Sequence, residues 1–260
     1  MAIPLYGQNK DGGLLNEAAK DLEQIYRFAS PPQVLDYEHA TAQLIDGTAG
    51  DRTIHSYADG LQLTFYPIVG QAIDCPAPAT SGMNYAYDQT ADDGWQWVMS
   101  DSVCKGREGI DRFTVGKQAF EAELEFSSDD ADGSDDCAFG FAKVDVHRAA
   151  IDDCDEMAVL NCIGGDIKIE TILNNGSTST TDTTDNWADD EIHKLKVLVA
   201  KDGAVTYKID GQAPSTTASF SFDQGEVVTP MMYFLQDSNL VPNLVLRKLI
   251  VKSNKGSLEE

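Results

Sequence analysis

Three glutamates, Glu121, Glu123 and Glu125, alternate with Phe120, Ala122, Leu124 and Phe126 in the run AFEAELEF. Successive strand side chains point to opposite faces, so the spacing puts all three carboxylates on one face and the apolar residues on the other. Carboxylates grouped in this way are what hydrolysis of a glycosidic bond requires. One must be ionised and one held protonated, about 5 Å apart when the reaction retains configuration. The competing reading is a solvated strand face in an acidic protein. Trp95 and Trp97 flank Gln96 and therefore share a face as well. Two indoles so placed could stack on sugar rings, or could fill the core of a β-sandwich.

Other chemistry-bearing residues form looser groups. Asp129, Asp130, Asp132, Asp135 and Asp136 surround Gly133, and Asp152, Asp153, Asp155 and Glu156 follow close behind. Both groups carry the hard oxygen donors that Ca²⁺ takes, so a structural cation is one expectation and a solvated loop the other. No other cofactor is expected. Neither group has the terminal bidentate Glu of an EF-hand loop. His39, His55, His147 and His193 are scattered, with no His-x-x-x-His pair and no Ser/His/Asp arrangement, so zinc and nucleophilic catalysis have no sequence support.

Charge narrows the partners. Against 43 acidic residues stand 19 basic ones, a net charge of -24, which repels phosphate backbones and anionic membrane surfaces; neither nucleic acid nor membrane is an expected partner. A hydrophobic content of 42% is that of a folded chain and not of a disordered one. The five cysteines, Cys75, Cys104, Cys137, Cys154 and Cys162, are odd in number and irregular in spacing, with no C-x-x-C, so free thiols kept in a reducing compartment are expected. The opening MAIPLYGQNKDGG lacks the charged and apolar regions of a secretory signal, and no apolar run reaches membrane-spanning length.

The elements that must position these residues are strands. EIHKLKVLVAKDGAVTYKIDG contains two alternating runs, with Leu195, Val197 and Val199 in the first and Val205, Tyr207 and Ile209 in the second. Asp202-Gly203 between them is a hairpin signal, and Asp210-Gly211 closes the pair. Further strands are predicted over 34–37, 61–68, 94–98, 112–115, 120–126, 137–144, 157–163, 167–173, 194–199, 205–209, 218–222, 229–235 and 244–251. Residues 74–93 and 174–186 read as loops. Only 14–28 has helical spacing: Leu14, Ala18, Leu22 and Ile25 make an apolar stripe that ends before Pro31-Pro32 and must dock on its own sandwich or on another subunit. The expected organisation is an arm and short helix over 1–32, an all-β antiparallel sandwich over 33–253, and a tail over 254–260.

Phe113-Thr114-Val115-Gly116, Phe120 to Phe126 and Gly140-Phe141-Ala142 together resemble the opening of a concanavalin A-like (laminin G-like) jelly roll. The later GGDIKIETILNN, Trp187 with His193, VLVAKDGAVTYKIDGQ, TPMMYFLQ and LVLRKLIVKS follow in a similar order. Glycoside hydrolases of that family carry Glu, Asp and Glu on one strand of the concave sheet; this chain has Glu123 where Asp is expected. The strand order around Trp187 and IDG also resembles sandwich domains of tailed-phage virion proteins, and the opening residues resemble the N-termini of structural proteins from marine tailed phages. The resemblance implies a non-enzymatic virion protein, a capsid decoration protein on the outer shell. Such a protein contacts the major capsid protein or other virion proteins, forms a homo-oligomer through the Leu14, Ala18, Leu22, Ile25 stripe, and is made and assembled in the host cytoplasm. The alternative is a carbohydrate-binding or glycan-cleaving sandwich, including a host-attachment knob or fibre, with Trp95, Trp97, Glu121, Glu123 and Glu125 at its site.

Overall fold

Alternation of apolar and polar residues marks the strands around 120–126, 167–172, 195–199 and 205–209, whereas those around 157–163 and 228–234 are buried on both faces. The computed structural model describes residues 33–36, 43–48, 52–57, 61–69, 73, 76–85 and 91–254. The stripe of Leu14, Ala18, Leu22 and Ile25 lies outside them. The strands are β1 (Gln33–Asp36), β2 (Gln43–Thr48), β3 (Arg52–Ser56), β4 (Gln62–Val69), β5 (Ala77–Ala79), β6 (Gly82–Asn84), β7 (Gly94–Val98), β8 (Phe113–Thr114) and β9 (Ala119–Ser127). They continue with β10 (Ser134–Lys143), β11 (Met157–Ile163), β12 (Asp166–Ile172), β13 (Ser179–Asn186), β14 (Ile192–Val199), β15 (Val205–Ile209), β16 (Val227–Gln236) and β17 (Val245–Asn254).

These form an all-β sandwich of two antiparallel sheets. One has seven strands in the order β15-β14-β9-β17-β6-β5, with β1 on β17. The other has ten in the order β13-β12-β11-β10-β16-β7-β4-β3-β2, with β8 on β16. Between the layers lie Phe120, Leu124, Leu195 and Val197 from the first sheet and Trp95, Trp97, Phe139 and Met232 from the second. Phe113 stacks on Phe120 at 4.6 Å, and Phe141 meets Phe120 edge-on at 5.0 Å, the two arrangements that aromatic quadrupoles favour.

The two Asp-Gly pairs turn out to do different things. Asp210 and Gly211 both have positive φ, and Ile209 and Gln212 exchange backbone hydrogen bonds across them, which is a two-residue primed turn. Asp202-Gly203 lies in a wider loop closed by the Ala200 N–H to Ala204 carbonyl bond. Gly203 has φ +93, and a Cβ there would meet the Phe222 carbonyl oxygen at 2.2 Å, so only glycine fits. Three further expectations change: residues 74–93, read as a loop, hold the short antiparallel pair β5-β6. Residues 218–222 are extended but form only an isolated bridge, Ala204 to Ser221, beside that loop. Part of 174–186, read as loop, is the edge strand β13, whose side chains are mostly exposed; only Thr183 is buried, and its hydroxyl bonds the Ile167 carbonyl. An edge strand with neither face on the core shows no apolar alternation to read.

The ten-stranded sheet also buries part of its outer face. β10 presents Ala138, Gly140 and Ala142 there, a shallow trough of small side chains flanked by Val159 of β11 and Met231 and Tyr233 of β16. Residues 144–155 cross this trough as a strap, dropping Ile151 and Cys154 into it. Its base is closed by the Lys143 N–H to Glu156 carbonyl bond (2.9 Å). Arg148 bonds Asp145 (2.7 Å) and Asp155 (3.2 Å), and the Tyr233 hydroxyl donates to the Ala149 carbonyl (2.9 Å).

The thiols follow from this burial. Cys137, Cys154 and Cys162 are buried and free, and Cys104 is half-buried and free. Burial pushes the Cys154 thiol up to about 12 and Cys162 to about 11, and holds Cys137 well above the ordinary thiol range. Cys75 lies outside the described residues. In the native protein at pH 8, a maleimide should label Cys104 and spare Cys137, Cys154 and Cys162, which should react only in denaturant, as read by peptide mass spectrometry. Labelling of Cys154 at the Cys104 rate would show that the strap does not stay docked.

Candidate functional site

The glutamates share a face of β9, as their spacing predicts, but they do not form an acid/base pair. Lys196 of β14 reaches Glu123 (2.6 Å) and Glu121 (3.5 Å), Lys252 of β17 reaches Glu121 (2.6 Å), and Lys194 reaches Glu125 (3.4 Å). Burial alone would raise the Glu121 pKa, yet the hydrogen bonds and charges of Lys252 and Lys196 outweigh it and hold Glu121 below the usual carboxylate range. A general acid needs the opposite shift. Of the two readings of the tryptophans, the structure bears out core filling and excludes sugar stacking. Trp95 and Trp97 are both 0% exposed, packed between the sheets against Phe234 and Phe139, so neither ring can meet a sugar.

The aspartates of 129–136 are drawn to different partners. Asp129 accepts from Asn243, Asp130 from Gln236 and Ser238, and Asp136 from Asn161. In the second group Asp152 accepts from Thr178, Asp155 from Arg148, and Glu156 is buried. Among the described residues no three His, Cys, Asp or Glu side chains converge in a way that could hold a metal ion.

Sequence reasoning missed the polar constellation on the outer face of the ten-stranded sheet. Strand register places Lys168, Asn161, Ala138, Tyr233, Gln96 and Tyr66 in one row across β12, β11, β10, β16, β7 and β4. At one end of this row Tyr66, Gln96, Asp101, His147, Arg148 and Cys154 bound a cavity of about 30 Å³, room for about one water. His147 comes from the strap and lies flat on Tyr66, with ring centroids 4.5 Å apart and planes 4° from parallel. Its Nδ1 is 3.0 Å from Gln96 Oε1. The Tyr66 hydroxyl donates to Asp101 Oδ2, while Asp101 Oδ1 accepts the N–H groups of Val103 (2.7 Å) and Cys104 and so turns the loop after β7. Ser102 N–H bonds the Asp145 carbonyl, tying that loop to the strap. Burial lowers the His147 pKa, so the ring is neutral at pH 7. Gln96 carried the readable signal: a polar residue between two inward tryptophans must face outward.

About two strand spacings from Tyr233 along the row, Asn161 bridges two carboxylates. Its Nδ2 donates to Asp136 Oδ1 (2.6 Å) and Glu170 Oε2 (2.8 Å), and Thr180 donates to Glu170 Oε1 (2.9 Å). The two accepting oxygens therefore lie at most about 5.4 Å apart. Burial raises the Asp136 pKa to about 7 against the Asn161 hydrogen bond, with the charges of Glu170, Asp135 and Asp152 adding to the rise. A carboxyl whose pKa is raised on folding contributes stability at low pH that is lost as pH climbs from the unfolded value to the folded one. The wild type should therefore lose thermal stability between pH 4 and pH 7. Asp136→Asn, which keeps an oxygen for Asn161, should flatten that slope and melt higher than wild type at pH 8. Equal slopes in a pair of Tm-against-pH series would show that Asp136 is not the group responsible.

No family model matches the chain, and no curated protein does. Among solved structures it is similar to the carbohydrate recognition domain of Emp47p, at 14% identity over 86% of this chain and 89% of that one, with a TM-score of 0.45. It is also similar to the receptor-binding domain of botulinum neurotoxin D, at 11% identity over 82% of this chain and 50% of that one (TM-score 0.46). A third is the alginate lyase from Corynebacterium sp., at 10% identity over 80% of each chain (TM-score 0.39). The fold is defined by strand order and register, independently of these likenesses.

Proposed function

We propose that this chain is a non-enzymatic carbohydrate-binding sandwich that takes a neutral sugar at the Tyr66, Gln96 and His147 cavity. The observation that carries the reading is the cavity itself: a small polar recess with fixed side chains, beside which Val103 and Val146 stand 66% and 52% exposed. One sugar hydroxyl fits the recess, and the apolar C–H face of the ring can rest on the valines, which combines oriented polar groups with an apolar surface. Net charge selects further. At a net charge of -24, and with the Arg148 beside the recess already paired with Asp145 and Asp155, the protein disfavours carboxylated and sulfated glycans.

The glycan-cleaving reading has one observation of its own, the Asp136 and Glu170 carboxyls brought together on the Asn161 amide. Against it, Glu170 is 6% exposed and accepts hydrogen bonds at both oxygens, so it is already committed as an acceptor. The capsid-decoration expectation depends on an arm outside the described residues, and none of the solved structures named above is a virion protein.

A glycan array carrying neutral, amino and acidic sugars tests the binding reading. Neutral glycans should bind, and His147→Ala should weaken them at least tenfold while Glu121→Gln leaves them unchanged. Retained binding by His147→Ala would move the site elsewhere. A reducing-sugar assay on the bound glycans should show no turnover; turnover abolished by Asp136→Asn would establish the cleaving reading instead.

A further inference from the structure

Gln96 stands between two tryptophans whose rings are committed to the core, so its amide has to emerge on the outer face, where it is 5% exposed. The two ends of that amide meet different partners. Nε2 is 3.5 Å from Met231 Sδ, and Oε1 is 3.0 Å from His147 Nδ1. A thioether can accept a hydrogen bond but never donate one, so the NH₂ end belongs on the sulfur and the carbonyl end on the imidazole. A carbonyl oxygen can only accept, so Nδ1 carries the ring proton. In a neutral imidazole the other nitrogen is then a bare lone pair. Tyr66, lying flat on the ring with its hydroxyl committed to Asp101, fixes the plane in which that lone pair points.

We propose that Gln96 is the specificity-determining residue of this cavity: by holding His147 as the Nδ1–H tautomer it presents Nε2 as an acceptor and selects a ligand that donates, a sugar hydroxyl, over one that only accepts. The identity of the ligand rests on the sugar-binding reading; the tautomer does not. The charged and titratable groups around the ring are consistent with this polarity. Asp101 and Tyr66 face it from the loop after β7 and from β4, and Lys143, Asp145, Cys154 and Asp155 from β10 and the strap. Arg148, a natural anion clamp, is already bonded to Asp145 and Asp155. Protonation turns Nε2 into a donor, which a hydroxyl oxygen can still accept, so what is lost as pH falls through the His147 pKa is the preference for a donating ligand over one that only accepts.

Long-range ¹H–¹⁵N correlation on the full-length ¹⁵N-labelled protein, with no ligand present, reads the tautomer directly. Wild type at pH 7.5 should show a protonated Nδ1 and a bare Nε2. Gln96→Leu should release the ring to a mixture or to the Nε2–H form and weaken neutral oligosaccharide binding. Gln96→Glu should keep Nδ1 protonated, raise the His147 titration midpoint by roughly one pH unit, and move the acid loss of that discrimination up with it. An Nε2–H ring in wild type, or an unchanged tautomer in a folded Gln96→Leu, overturns the role of Gln96. The expected tautomer in a protein that binds no neutral oligosaccharide overturns the sugar-binding reading and the selection of a hydroxyl with it.

Discussion

The pairing of Ala138 with Tyr233, and of Tyr233 with Gln96, holds the two halves of this molecule to one frame. It sends Cys137, Phe139 and Phe141 of β10 into the core and leaves Ala138, Gly140 and Ala142 outside. Gly140 is required for that pairing: a Cβ there would stand 2.3 Å from the Ala158 carbonyl oxygen of β11. A slip of one residue would exchange the phenylalanine face for the trough. The strap would then have nothing to sit in, and His147 would have no position over Tyr66. Core packing and the outer cavity are thus two faces of a single register.

Charge is distributed unequally over the two sheets. On the seven-stranded sheet the Glu121, Glu123 and Glu125 ladder is interleaved with Lys194, Lys196 and Lys252 from the neighbouring strands, so its field is largely cancelled at short range. On the ten-stranded sheet Asp136 accepts from the Asn161 amide and Glu170 from that amide and the Thr180 hydroxyl, and the pKa of Asp135 is raised by burial and then by Asp237, Asp92 and Asp152. Among the described residues Asp136 and Glu170 on this face thus have no ladder of lysines like that on β9, whereas around the cavity Arg148 is paired with Asp145 and Asp155 and Lys143 with Glu226.

The sandwich was legible in the sequence because its signals are local. Alternation in β9 and β14, Gln96 between inward tryptophans, and Asp-Gly pairs needing positive φ are all read within a few residues. β13 was not legible, since Thr, Asp and Asn on an exposed edge carry no apolar period. The cavity was not legible either. Gln96 and His147 are 51 residues apart, and their meeting depends on where a strap lands on a sheet. The glutamate ladder was located correctly on one face, but its neutralisation depends on Lys196 and Lys252, which come from strands far away in the chain and become neighbours only through sheet order.

The closed base of the strap has a consequence for how such a protein can change. Because the Lys143 to Glu156 backbone bond pins both ends where β10 gives way to β11, the intervening segment is a cassette whose content and length can vary while the ladder beneath it keeps its pairing. The entropy of closing a loop grows only slowly with its length, so lengthening it costs little. Of the groups around the imidazole, Tyr66, Gln96 and Asp101 belong to the chassis, whereas His147, Arg148 and Cys154 belong to the exchangeable part. The lining of the recess can therefore change through the strap alone while the sheet beneath it is kept.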